Sequence, residues 1–306
     1  MKYYIEDLNY QIENHAEKFI AYCESEYDKT LCEIALDIAK NCESTPVVLI
    51  SGPSGSGKTT TALKLEEKLD RMGHESHTIS LDNYFRALSE EELKLSKEGK
   101  MDLESPDRLD ENYLNMQLKC IIEGIAVDIP KYNFVTCQRE FSGWTLKRRP
   151  GEIIIFEGTH ALNPNVIKVP DEKCARIYVS IRSQFHTDDD ELRSKVIRLA
   201  RRMIRDQETR DRNPLDTINM FKSVNEGEDE HIRPFMGRCN YSIDTVIPYE
   251  LNVYSALLLN TLNCLPKTIE IEQLCRVISQ ALPLDTSLIP KDSLMREFIG
   301  GSSLNY

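Results

Sequence analysis

The chain of 306 residues sets 38 Lys and Arg against 50 Asp and Glu, a formal charge of −12. So acidic a balance argues against a general duplex nucleic-acid binder, which needs a cationic surface. With 41% hydrophobic and 29% charged residues, a disordered or fibrous chain is excluded as well. The length predicts one large α/β domain with embellishments, or two small domains.

Residues 3–40 place apolar side chains such as Ile34, Ala35, Ile38 and Ala39 at helical spacing, which predicts one or two helices. Pro46 then opens VVLI, too short for a helix and bounded by turn residues, hence a buried strand. GPSGSG follows. After it, KTTTALKLEEKLDRMG carries an apolar stripe of Ala62, Leu63, Leu65 and Leu69 and closes at Gly73, the pattern of an amphipathic helix with its stop. Further short strands are predicted over 76–80, 152–156, 175–181 and 242–247, with helices over 112–123, 190–206 and 269–282. Between 127 and 149 the aromatic and turn-rich pieces IPKYNF and REFSGWTLKR predict an antiparallel insertion. Strands alternating with helices imply an α/β fold, a parallel sheet with helices on both faces.

No apolar run approaches the ~20 residues of a membrane-spanning helix. The opening stretch MKYYIEDLNY has neither the basic nor the apolar region of a secretory signal, so a cytoplasmic protein with no membrane and no nucleic-acid partner is expected. The nine cysteines form no C-x-x-C pair and are read as reduced thiols, without a structural metal.

The most specific motif is Gly52-Pro53-Ser54-Gly55-Ser56-Gly57-Lys58-Thr59, which meets G-x-x-x-x-G-K-[ST] at every fixed position. Backbone amides must wrap a polyphosphate, and glycines permit the approach. The following helix, with Thr60 in its first turn, points its positive end at the same anion. Lys58 is expected at the β- and γ-phosphates of ATP, and the Thr59 hydroxyl on Mg²⁺. ATPases, GTPases, switches and small-molecule kinases share this loop, but the base-reading N-K-x-D run of GTPases is absent from the sequence.

Residues downstream must decide between them. The strand over 76–80 ends in Leu81-Asp82-Asn83-Tyr84-Phe85, and strand ends of this kind line the ligand crevice. Asp82 there can take a proton from an attacking hydroxyl or help hold Mg²⁺; the plainer alternative is a turn cap. Glu157, at the end of the next buried strand, is a second candidate for Mg²⁺, against a solvated loop carboxylate. In RLARRMIRDQETRDR, Arg198, Arg201 or Arg202, and Arg205 share a helix face, and Arg210 and Arg212 follow. Alternation with Asp206, Glu208 and Asp211 fits an exposed, ion-paired helix, whereas the functional reading is a lid whose arginines close on the transferring phosphoryl group.

The ordered set SGPSGSGKTT, SLDNYF, ESPDRLD, IPKYNF, IIIFEGTHALNP and ARRMIRDQETRDR resembles the uridine kinase and phosphoribulokinase family over about residues 46–250. The run YELNVYSAL and the tail LPLDTSLIPKDSLMREFIGGS resemble bacterial uridine kinase-like proteins. The resemblance implies a P-loop nucleoside triphosphate hydrolase fold with a small β-rich insertion at about 126–149 and a helical lid at about 186–213. It implies an N-terminal helical extension over 1–45, a kinase domain over 46–265 and a C-terminal extension over 266–306. The two extensions are expected to lie outside the catalytic motifs, covering the sheet or forming a homo-oligomer contact.

Residue by residue, Asp82 matches the family's catalytic carboxylate and Glu157 its Mg²⁺-supporting acid. Lys58 and Arg205 match groups that stabilise the transferring phosphoryl group. Arg202 matches a contact to ATP beside the loop residues Gly52, Ser54, Gly55, Ser56, Gly57, Thr59 and Thr60. Arg210 and Arg212 match arginines that close over the acceptor, and Tyr132 an aromatic that packs on its base or ribose. Departures lie on the acceptor side: Glu104 stands in place of the acid of a D-H-P-D run, Cys137 in place of a base-reading histidine and Met220 in place of a glutamine. A thiol and a thioether hydrogen-bond poorly. The expectation is therefore an ATP-dependent kinase of a small hydroxylated molecule, most simply a nucleoside 5′-hydroxyl. A sugar phosphate or pantothenate-like alcohol, and an ATP-binding regulator without phosphotransfer, stand as alternatives.

Overall fold

The computed structural model describes residues 1–97, 101–102, 104–210 and 212–304. Asp211, one of the alternating charges noted above, lies outside them. The chain begins with β1 (Lys2–Tyr4) and a long helix, α1 (Ile5–Lys40), that bends where His15 leaves helical geometry. Then come β2 (Val47–Ser51), α2 (Lys58–Arg71), β3 (Ser76–Ser80), α3 (Glu90–Lys97) and α4 (Glu111–Ile122). The middle of the chain holds β4 (Val127–Asn133), β5 (Gln138–Leu146), β6 (Ile153–Glu157), β7 (Cys174–Ser180), β8 (Gln184–His186) and β9 (Glu191–Leu192). The rest comprises α5 (Ser194–Thr209), α6 (Pro214–His231), β10 (Tyr241–Asp244), α7 (Glu250–Asn263), α8 (Ile269–Ile278) and the short α9 (Arg296–Ile299).

Five strands form one parallel sheet in the order β10-β7-β2-β6-β3. Every residue of β2 and of β6 is buried, because a parallel sheet is covered on both faces and its central strands read as continuous apolar runs. Period-two alternation divides the core: Val48 and Ile50 face the cluster built with α1, α2, α5, α7 and α8, while Val47 and Leu49 face the cluster built with α4 and β4. The first cluster also contains Leu294, Met295 and Phe298 from the C-terminal segment. The strand–loop–helix from β2 to α2, set in this sheet, makes the fold that of a P-loop nucleoside triphosphate hydrolase.

The β4–β5 pair is the antiparallel insertion, with a register shift at Ile129/Pro130, where proline cannot donate a ladder hydrogen bond. Three boundaries differ from the periodicity. The helix expected from residue 190 starts at Ser194, because Glu191 and Leu192 pair with β8. The strand expected over 242–247 is Tyr241–Asp244, and the tail helix stops at Ile278 rather than 282. The part of α5 at Val196–Ile204 is mostly core: Val196, Ile197, Leu199, Ala200 and Met203 are buried, whereas Arg202, and beyond it Arg205, Arg210 and Arg212, reach the cavity described next. No helix among the described residues is long and apolar enough to cross a membrane.

Candidate active site

The loop from Gly52 to Gly57 joins β2 to α2 at the carboxyl edge of the sheet. A Cβ on Gly52 would stand 2.0 Å from the Val179 carbonyl oxygen, so only glycine lets the loop leave β2 beside β7. Gly55 and Gly57 take φ of +77° and +86°, which side chains resist. Three successive carbonyls of the loop are held from behind. Arg198 Nη1 donates to Ser54 O at 3.1 Å, Arg201 Nη1 to Gly55 O at 3.4 Å, and Thr245 Oγ1 to Ser56 O at 2.6 Å. Because carbonyl and amide of a trans peptide point opposite ways, these contacts aim the amides of Gly55 and Gly57 away from them, toward an anion, while the Ser56 amide donates to Pro53 O at 3.2 Å.

In front of the loop lies a cavity of about 230 Å³. Ser54, Gly55, Lys58, Thr59, Asp82, Glu104, Glu157, Arg202, Arg205, Arg210 and Arg212 all line it, and so does Met220. Segments far apart in sequence thus deliver these residues to one space. Lys58 Nζ donates to Pro53 O at 3.2 Å. Asp82 sits in the 3₁₀ turn after β3, and Glu157 is the last residue of β6, in register with Ile50 and Ser80. Burial raises both carboxyls, with Lys58 opposing; Glu157, which also faces Asp82, is pushed up to about 7. Burial likewise raises Glu104, with Arg202 opposing.

The arginine-rich segment is neither a uniform exposed face nor a uniform lid. Arg198 and Arg201 turn into the protein to hold the loop, the first pairing with Glu228 and the second with Glu250. Arg202 lies 4% exposed, its Nε without a hydrogen-bond partner, and burial with Arg205 nearby lowers it to about 10. Arg205, Arg210 and Arg212 converge on Asp206, whose side chain is fully buried, at 2.8, 3.7 and 3.4 Å. Burial alone would raise Asp206, but Arg205 and Arg210 hold it below the usual carboxylate range.

Two residues expected on the acceptor side, Tyr132 and Cys137, do not line the cavity. Tyr132 is 4% exposed and stands behind the wall, its ring against Phe85 and Phe134 at 5.5 and 5.2 Å. Cys137 takes φ of +54° in the β4–β5 turn, its thiol facing Phe134 O, rather than the cavity. Phe85 and Phe134 line the wall instead. With them stands Arg108, whose guanidinium lies 4.3 Å over the Phe85 ring. His160, to which the sequence assigned no role, lines the cavity as well, and burial lowers it to about 4, a neutral imidazole. Glu297, from the C-terminal segment, is the residue least accessible to sequence reasoning. Its Oε2 accepts from Thr60 N at 3.1 Å and Thr60 Oγ1 at 2.6 Å.

The donor set fits a triphosphate: oriented amides, Lys58, and Arg202, which lines the cavity with its Nε unpartnered. The hydroxyl of Thr59 and the carboxylates of Asp82 and Glu157 are hard oxygen groups of the kind Mg²⁺ takes.

Known proteins resemble this chain in sequence or in fold. A Staphylococcus aureus (strain JH9) uridine kinase is 30% identical over 182 residues, covering 60% of this chain and 78% of that one. Among solved structures, a candidate fructose transport system kinase from Silicibacter sp. TM1040 superposes with a TM-score of 0.52 at 14% identity, over 70% of this chain and 98% of the other. The Saccharomyces cerevisiae protein YFH7, a candidate P-loop kinase with a circular permutation, gives 0.51 at 12% identity, over 72% and 99%. The sequence model of the phosphoribulokinase/uridine kinase family matches residues 47–250, the whole span from β2 to the start of α7 that carries the loop, Asp82, Glu157 and the arginines, and the chain belongs to that family.

Proposed function

We propose that this ATP-dependent phosphotransferase acts on the 5′-hydroxyl of a nucleoside, as a uridine or cytidine kinase does. One observation carries the reading: Asp82, Lys58, Glu104 and five arginines line the same cavity as the phosphate loop. A carboxylate that can accept a proton therefore stands opposite the phosphate-binding amides. Glu104 occupies the position from which the family's acid holds the ribose hydroxyls, and Phe85 and Phe134 give an apolar surface beside it for a base.

In this reading Asp82 orients the acceptor hydroxyl and takes its proton, a contribution of about 10²–10⁴-fold in rate. Lys58 and Arg205 stabilise the charge that spreads over the transferring phosphoryl group, and Arg202 holds the triphosphate. Arg210 and Arg212, fixed on Asp206, close the acceptor side and exclude water. Mg²⁺ would be held by Thr59, Glu157 and Asp82, and it neutralises charge on the phosphates.

A second reading, a kinase of a non-nucleoside alcohol, is favoured by Met220 on the cavity wall and by Cys137 turned off it. Neither offers the hydrogen bonds with which a buried polar edge gains discrimination. The deciding experiment is acceptor-dependent ADP release from Mg·ATP over a panel of nucleosides, sugar phosphates and pantothenate. Stimulation by uridine or cytidine is expected. Stimulation by another acceptor alone would overturn the nucleoside reading and keep the chemistry. ATP binding with no stimulated turnover would favour a regulator.

A further inference from the structure

The family match ends at residue 250, yet the segment after it enters the active site. Asp292, Leu294 and Glu297 of this segment reach α2 and the loop before it, and α9 packs on α5. Leu294, Met295 and Phe298 are fully buried. The Arg296 guanidinium donates to four backbone carbonyls of this same segment, those of Thr286, Ile289, Pro290 and Gly300. Lys64 of α2 donates to Asp292. A Cβ on Gly57 would meet Leu294 at 2.8 Å, so the segment also packs directly on the phosphate loop. The backbone is thereby anchored, and from it Glu297 extends into the cavity.

Glu297 takes hold of the first turn of α2. The amide of Thr61 is already used within the helix, by Gly57 O at 3.0 Å, whereas that of Thr60 is one of the helix-start donors that an anion satisfies. The Glu297 carboxylate accepts from this amide and from the Thr60 hydroxyl together. A carboxylate is here doing what a phosphate oxygen does at such a terminus. Both cannot occupy the same donors, and two anions at hydrogen-bond distance repel strongly where water is scarce.

We infer that Glu297 is an internal ligand of the phosphate site, and that a triphosphate enters only as this carboxylate withdraws from Thr60. Nucleotide affinity is then reduced by the fraction of molecules in which Glu297 holds the loop. The anchors on Arg296, Leu294 and Phe298 keep the segment in place, so the exchange is a swing of one side chain. Gly300 and Gly301, at φ of +77° and +71°, end α9 just beyond it. The inference rests on triphosphate binding at the loop and not on which acceptor is phosphorylated.

The test is Mg·ATP binding by calorimetry without any acceptor, for the unmodified chain, Glu297→Gln and Glu297→Ala. Both variants should bind about three- to tenfold tighter, as a carboxylate holding most of the population requires, with Ala at least as tight as Gln. Unchanged or weaker binding would overturn the inference. The unmodified chain gives a second readout that needs no variant. Saturating Mg·ATP should leave amide hydrogen exchange across residues 294–301 unchanged or raised, since the anchored backbone loses only the tether to Thr60, and protection there would mean that the segment closes on the nucleotide, the opposite of what is inferred. Failure of all three proteins to bind Mg·ATP would remove the phosphate-site premise itself. A null result in the acceptor panel leaves this test untouched.

Discussion

Arg201 and Glu250 form an ion pair with no exposed side-chain surface, Nε to Oε2 at 2.9 Å and Nη2 to Oε1 at 3.1 Å. The guanidinium also donates to Thr245 O and Gly55 O and lies 4.9 Å over the Phe298 ring, while the Tyr254 hydroxyl donates to Glu250. One buried cation therefore links α5, α7, the C-terminal segment and the phosphate loop. Burying an ion pair is costly and by itself gives little net stability, but removing one partner leaves the other uncompensated. Arg201→Met should destabilise the chain by about 3–5 kcal/mol in denaturant titration and weaken Mg·ATP binding, since Gly55 O loses its donor. Arg201→Met with Glu250→Gln should recover part of the stability. A single-variant loss below about 1 kcal/mol would show that the pair does not support the loop.

On the proposed assignment of Asp82 as the general base, Asp82→Asn should lower kcat by about 10²–10⁴-fold while Mg·ATP binds with near-normal affinity. Steady-state turnover beside a calorimetric titration separates the two. Turnover equal to that of the unmodified chain would remove the assignment, and a parallel loss of ATP affinity would show that the proposed share of Asp82 in holding Mg²⁺ outweighs its role as proton acceptor.

Much of this site is legible in the chain itself. The phosphate loop is contiguous, and its glycines are required by geometry that the structure shows at Gly52, Gly55 and Gly57. Asp82 and Glu157 end strands whose apolar runs are plain, and strand ends in a parallel sheet define the crevice. The arginine segment was legible only as a cluster. A 3.6-residue period places Arg198, Arg201, Arg202 and Arg205 on related faces, but which of them meets the loop backbone and which the cavity depends on where Glu228, Glu250 and Asp206 arrive from other elements. Glu297 was not legible at all. It lies 237 residues from Thr60, carries no motif, and acts through a tertiary contact. Tyr132 shows the limit of a motif: its run is evident in the sequence, but that Phe134 rather than Tyr132 lines the cavity depends on how the β4–β5 turn packs.

Asp206 joins three arginines that no contiguous motif relates. Its two oxygens receive Arg205, Arg210 and Arg212, and its backbone carbonyl accepts from the amides of Arg210 and Arg212. Asp206→Asn should leave three guanidinium groups in mutual repulsion, lowering stability at pH 7 and raising the KM for the acceptor more than that for ATP. A carboxyl held below its ordinary value stabilises the fold above its unfolded pKa, and that contribution is lost as pH falls through the lowered folded value. The stability gap between Asp206→Asn and the unmodified chain should accordingly close in strong acid. A gap independent of pH would mean that shape rather than charge holds the arginines.

Glu157 gives the reverse sign. Burial and the neighbouring Asp82 outweigh Lys58 and raise it from the ordinary 4.5 to about 7, so between these values the folded chain holds a proton that the unfolded chain has released. Stability must then fall as pH rises through that window, by up to about 3 kcal/mol for a shift of this size. Glu157→Gln removes the burden of the buried charge. In thermal unfolding without ligands, the variant should match the unmodified chain near pH 5 and exceed it near pH 8, while on the proposed role of Glu157 in holding Mg²⁺ its phosphotransfer should fall. If the variant is instead the less stable of the two at pH 8, then Lys58 and the arginines already compensate the ionised carboxylate. The site would in that case be poised for metal without a cost to the fold.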